Sequence, residues 1–214
     1  MKRRALASVA VLPLALFPIA WASALSHAPS APLSTQIACG HERWDVKTLT
    51  DDDADRIEVD NVRHLSVTRL GLLKRPSQAE LNQGRAPKER RVYTVEVILD
   101  SLPDRKLGFK IEKLDSDIHL AVRDKNGSTI IAEFPDSGCT ADAEFRSRMK
   151  DAREALVKAC DGKPPSGRFK ELRGTATITG VLFFDFFHHQ RGTSLNVAEI
   201  HPVLSFESTS CERA

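Results

Sequence analysis

Residues 178–184, Ile178-Thr179-Gly180-Val181-Leu182-Phe183-Phe184, are apolar at almost every position, and the run ends in Asp185-Phe186-Phe187-His188-His189-Gln190. A strand covered on both faces has this pattern, whereas a half-exposed strand alternates. Glu199-Ile200-His201-Pro202 follows on a second apolar stretch, so acids and imidazoles are predicted to stand on a rigid support. Strands are predicted over residues 92–99, 108–113, 118–123, 129–134, 170–186, with a bend at Gly174 or Gly180, and 197–206. Residues 142–160 carry Phe145, Met149, Ala152, Leu156 and Ala159 on one helical face. Thr140 can cap that helix, Asp142 and Glu144 suit its first turn, and Gly162 with Pro164-Pro165 stops it. A further helix is expected after Thr50, with Asp51, Asp52, Asp53 and Asp55 at its positive end. That acidic run lacks the glycine and glutamate of a calcium loop.

The segment between residues 118–123 and 129–134 sets a register. A two-residue Asn126-Gly127 turn pairs Leu120 with Glu133, while a three-residue Lys125-Asn126-Gly127 loop pairs His119 with Glu133. The second choice separates apolar from polar. It puts Ile118, Leu120, Val122, Ile130, Ala132 and Phe134 on one face and Asp117, His119 and Glu133 on the other. Counting the hairpin as one bent element, the order is strand, strand, strand, helix, strand, strand. A mainly β, α+β chain is therefore expected, built as a five-stranded OB-like Greek-key barrel with one helix between strands 3 and 4 and an N-terminal extension. A generic α+β sheet is the alternative.

Met1-Lys2-Arg3-Arg4, an apolar segment to Trp21 and Ala22-Ser23-Ala24 read as a secretory signal over residues 1–24. Residues 25–38, rich in Ala, Pro and Ser, read as a flexible leader, and residues 39–214 as one domain. Signal removal takes three positive charges and moves the formal net charge from +2 to −1, so bulk charge does not mark a nucleic-acid binder. The densest basic cluster, Arg85, Lys88, Arg90 and Arg91, is of a kind that usually decorates a solvated surface, with phosphate contact as the alternative. All four cysteines lie beyond the signal, and an even count in an oxidising compartment implies two disulfides. The expected location is secreted or periplasmic, with no membrane span after signal removal and a monomeric state.

Glu199 and His201, two apart, share a strand face, and Asp117 and His119 repeat that spacing. If these faces meet near Asp185 and His188, then Asp117, His119, Glu133, Asp185, Glu199 and His201, with His188 in reserve, form an imidazole and carboxylate set suited to a divalent metal such as zinc, manganese or iron. Taken one at a time, each histidine fits a satisfied structural role and each acid fits an arginine partner. No His-Glu-x-x-His, Gly-x-Ser-x-Gly or phosphate-binding glycine loop is present.

Four stretches carry a resemblance: Cys39-Gly40-His41-Glu42-Arg43-Trp44-Asp45-Val46-Lys47-Thr48, residues 115–120, residues 131–136 with Cys139, and residues 179–185 through 199–203. Together they resemble an uncharacterised family of exported bacterial proteins, over most of the mature chain. Members place His-Gly-Gln-Thr-Gly after the Phe-Phe-Asp segment; here His188-His189-Gln190-Arg191-Gly192 departs at two positions. The resemblance implies that Glu42, Arg43, Trp44 and Lys47 belong with the later polar groups. It also favours Cys39 with Cys139, leaving Cys160 for Cys211.

Two functions follow as expectations. The first is an exported OB-like binding module for an oligonucleotide, glycan or protein partner, with a polar pocket for a metal. The second is a metal-dependent hydrolase of phosphodiesters. There Asp117, His119, Asp185, His188 and His201 supply the ligands, Glu199 or Glu133 handles water, and Arg43 or Lys47 steadies negative charge.

Overall fold

The computed structural model describes residues 39–140, 143–187 and 189–214. The expected signal and leader, Asp142 and His188 lie outside the described residues, as does the side chain of Glu144.

Among the described residues, four α-helices, α1 (Trp44–Thr48), α2 (Val67–Gly71), α3 (Gln78–Leu81) and α4 (Ala143–Ala159), accompany nine strands. These are β1 (Glu58–His64), β2 (Arg91–Ile98), β3 (Gly108–Ile111), β4 (Ile118–Arg123), β5 (Thr129–Phe134), β6 (Leu172–Arg173), β7 (Thr175–Phe184), β8 (Ala198–Glu207) and β9 (Glu212–Arg213). Seven form one mixed sheet in the order β1-β2-β7-β8-β5-β4-β3, and β6 pairs with β9. The chain is thus mainly β with few helices, an α+β arrangement.

A closed five-stranded barrel is not what the sheet shows. The edge of β4 from Ile118 to Ala121 is taken by β3, so β4 meets β2 through the single pair Ile98↔Arg123. The hairpin counted as one element stands as two strands, β4 and β5, and the parallel strand β1 is added, which accounts for the two extra members.

The β4–β5 hairpin adopts the register that segregates its faces: His119 pairs with Glu133, and Gly127 has a φ of 82° in the three-residue turn. Ile118, Leu120, Val122, Ile130, Ala132 and Phe134 enter the main core, which α4 closes with Ala152 and Leu156. Val181, Leu182, Phe183 and Phe184 are all buried, as a strand covered on both faces requires. Thr50 caps no α-helix; only a short 3-10 turn, Ala54–Arg56, follows it, and Asp51 and Asp53 pair with arginines instead.

Pro202 lies on β8, an interior strand, at a break in register. Gly180 pairs with Val203 and Leu182 with Ile200, so His201 and Pro202 together oppose Val181. This bulge is accommodated by Gly180, where a Cβ would come within 2.4 Å of the Pro202 carbonyl oxygen. An extra residue of this kind re-aims its side chains.

The disulfides are Cys39–Cys139 and Cys160–Cys211. The first ties the segment leading into α1 to the chain just after β5. Among the described residues no helix is long and apolar enough to cross a membrane.

Candidate metal centre

One face of the sheet is polar and still buried. Lys110 on β3, His119 on β4 and Glu133 on β5 stand in one cross-strand row, and β8 runs parallel beside β5 with Glu199 opposite Ile131. Two steps along each strand, the same face carries Asp117 before β4 and His201 on β8. Asp117, His119, Glu133, Glu199, His201 and Asp185 at the end of β7 are all at most 5% exposed.

The cover comes from outside the sheet. From α1, Trp44 sets its ring edge against His201 with centroids 6.4 Å apart, and Lys47 holds its Nζ 5.2 Å from the Phe183 ring centre. From the loop after β7, Gly192 lies on Ala121, and the Arg191 carbonyl reaches His119.

Distances divide the predicted site residues. His201 Nε2 lies 3.3 Å from Asp117 Oδ2, and its Nδ1 lies 3.2 Å from Glu133 Oε2. Neither approach has hydrogen-bond geometry: both ring nitrogens and Asp117 Oδ2 are buried without a partner, as is Glu199 Oε2. Asp117, Glu133 and His201 each offer a ligand atom within 4.8 Å of the others. Tetrahedral ligands at about 2.1 Å from an ion stand about 3.4 Å apart, so these side chains need only small adjustments to share one.

His119 belongs to the cluster in another role. Its Nδ1 is 3.1 Å from Glu133 Oε1 and its Nε2 is 3.0 Å from the Arg191 carbonyl oxygen. Both partners are acceptors, so both nitrogens carry hydrogen and the ring is an imidazolium with no lone pair for a metal. His119, expected as a ligand, reads in this geometry as a cation held against Glu133. Asp185 lies outside the three-residue ligand set, and its charge acts on Lys47 and Glu199.

The electrostatics agree with this division. Burial pushes the carboxyls of Asp117 and Glu199 well above the usual range, and the Glu133 charge adds to both shifts. Burial acts the same way on Glu133, but the His119 hydrogen bond, the charge of His201 once acid protonates it, and the charges of His119 and Lys47 overcome it and bring the carboxyl down to about 2. Burial opposes charge on His119, and Glu133 outweighs it, raising the imidazole above its ordinary value. His201 is pushed down to about 4 by burial, so at neutral pH it is an uncharged imidazole and its contacts with the two carboxyls are not salt bridges. Lys47 stays charged: burial disfavours its ammonium, but Glu133, Asp185, Glu199 and Asp117 together favour it more.

Arg43 does not face the carboxylates. Its guanidinium grips Glu89 through two bonds of 2.9 and 2.6 Å and reaches the carbonyls of Phe184 and Gly84. It clamps α1 to the body of the domain. The basic cluster is likewise committed: Arg85 is buried against Asp51, Arg90 pairs with Asp53, Arg91 with Glu58, and Lys88 bonds the Lys74 carbonyl. Three of the four are charge-paired, and the fourth is tied to a backbone carbonyl.

Sequence reasoning missed the Arg191 carbonyl and the Phe169 ring, which stands perpendicular to His119 with ring centroids 5.5 Å apart. A backbone acceptor has no residue signature, and Phe169 sits in a polar stretch. A groove of about 930 Å³ lined by Ser66, Thr94, Glu96, Thr177 and Glu207 includes none of the cluster residues.

Compared with known proteins, the chain matches no family model, no curated protein and no solved structure.

Proposed function

We propose that this is an exported OB-like binding module that holds one divalent cation with Asp117, Glu133 and His201. Connectivity supports the OB-like part: α4 lies between β5 and β7, β5 runs parallel to β8, and Ile98↔Arg123 brings β2 to β4. Two disulfides support export, in keeping with the amino-terminal signal pattern and with the exported family that the motifs resemble.

One observation carries the metal reading. A fully buried histidine stands between two carboxyls with both ring nitrogens and a facing carboxyl oxygen unpartnered, an arrangement that burial makes costly unless something fills it. One imidazole and two carboxylates suit zinc or manganese. An ion there would act first as a cross-brace between β4, β5 and β8. Hydrolysis ranks second, because the ligands are buried beside Trp44 and Lys47 and a phosphodiester would have to displace α1.

Metal analysis and calorimetric titration of EDTA-stripped mature protein test this. About one ion per chain is expected, with a rise in melting temperature of roughly 5–10 °C at a hundredfold excess over Kd. His201→Ala and Asp117→Asn should abolish both effects. Zinc and manganese that neither bind nor shift melting would refute it.

A further inference from the structure

Positive charge in excess of the nearby acids Glu112 and Glu171 gathers around Phe169, although Glu171 feels the charge of Arg191. Arg168 and Lys170 flank it and are exposed, as are Arg191 on the covering loop and Lys113, whose Cε would lie 3.4 Å from a Cβ on Gly167. None of these four makes an ion pair among the described residues, whereas neighbouring Lys106 and Lys110 are paired with Glu171 and Glu112. The Arg191 guanidinium lies over the Phe169 ring, 4.5 Å from its centre, with the Lys110 ammonium 5.1 Å from the same centre. An arginine backed by an aromatic ring is a held plane.

We propose that this face binds single-stranded nucleic acid: Lys113, Arg168, Lys170 and Arg191 meet phosphates, and the outer plane of the Arg191 guanidinium stacks a base. Unpaired cations release the strand's counterions on binding, and a guanidinium plane accepts any base. Stacking favours a single strand over an anionic membrane. The exposed apolar residue beside Lys113 is Leu114, and one such side chain gives a bilayer little to hold. The proposal rests on the reading of the protein as a binding module and not on the metal, since no residue of this face is among Asp117, Glu133 and His201.

Fluorescence anisotropy with a labelled oligothymidylate of about fifteen nucleotides tests it on mature protein in EDTA. Between about 50 and 200 mM salt, four phosphate contacts should give a slope of log affinity on log salt near −3. Arg168→Gln should make the slope shallower by about 0.7. Arg191→Lys, which keeps the charge and loses the plane, should leave the slope unchanged and weaken binding about five- to a hundredfold. Unchanged melting curves show that both variants fold. Absence of binding at low salt, a flat salt dependence, or Arg191→Lys binding as tightly as wild type would each overturn the proposal. So would binding to phosphatidylserine vesicles with none to the oligonucleotide. With EDTA present, failure of the metal reading leaves these outcomes unaltered.

Discussion

Glu133 is the anion on which the buried cluster balances, and Glu133→Gln isolates its charge with little change of shape. In the wild type it accepts from the His119 imidazolium and faces His201 and the Lys47 ammonium. Removing one partner of a buried pair typically costs about 3–5 kcal/mol, because the other charge stays behind. His119 has an escape: without Glu133 it can lose its proton, and the loss then shrinks to one imperfectly satisfied hydrogen bond, about 1–3 kcal/mol. Escape is easy at pH 8 and difficult at pH 5.5, on either side of an ordinary imidazole value near 6.5. Asp117 and Glu199, whose ionisation Glu133 opposes, relax in the variant and set the lower end of each range. The expected destabilisation is therefore about 3–5 kcal/mol at pH 5.5 and about 1–3 kcal/mol at pH 8. For a domain of this size the larger figure is a fall in melting temperature of roughly 6–20 °C. Urea unfolding of metal-free protein at both pH values measures it, and a double-mutant cycle with His119→Gln apportions it. A loss that is equal at the two pH values, or below about 1 kcal/mol at pH 5.5, would show that His119 is not an imidazolium held by Glu133.

Two further outcomes follow from the same groups. The His119–Glu133 pair should stabilise fully between about pH 4.5 and 6.5. A raised imidazole loses its contribution as pH rises through its folded value, and a depressed carboxyl loses its contribution as pH falls towards about 2. His201 works the other way on the acid side: held neutral with a value of about 4, it should cost stability as pH falls from about 6.5, and His201→Asn should flatten that fall in urea titrations of metal-free protein. Glu89→Gln should strip Arg43 of its buried anion at a cost of about 3–5 kcal/mol and raise hydrogen exchange across α1, while exchange in β4 and β5 stays slow. Equal exchange in α1 of variant and wild type would refute the clamp.

The parts of the fold that could be read were those governed by short-range periodicity. Alternation in residues 118–134, with Gly127 at the turn, allowed one register that buried Ile118, Leu120 and Val122 together, and that register brought His119 to Glu133. The amphipathic spacing of Phe145, Met149, Ala152 and Leu156 was similarly sufficient for α4. Barrel closure was not legible, because it depends on which strand occupies the β4 edge. Residues 108–111 pattern as an ordinary strand, and nothing in them says that they will displace β2 from Ile118 to Ala121.

The candidate site divides along the same line. That Asp117, Glu133 and His201 share a sheet face follows from period-two geometry, but their different roles follow from hydrogen-bond partners supplied by other elements. His119 and His201 have the same residue type, the same face and nearly the same burial, yet one meets two acceptors and the other meets none in hydrogen-bond geometry. The difference is made by the Arg191 carbonyl, which caps His119, and by the bulge at His201 and Pro202, which turns that ring between two carboxyls. Arg43 shows the converse: its charge suggested an anion-binding role, but the left-handed backbone at the start of α1 directs it to Glu89. A polar residue's chemistry is therefore set by how many of its hydrogen-bonding atoms the fold leaves over. Among the described residues the buried atoms left over include both ring nitrogens of His201 and the Asp117 Oδ2 that faces them, which is why the metal is assigned beside His201 and not beside His119.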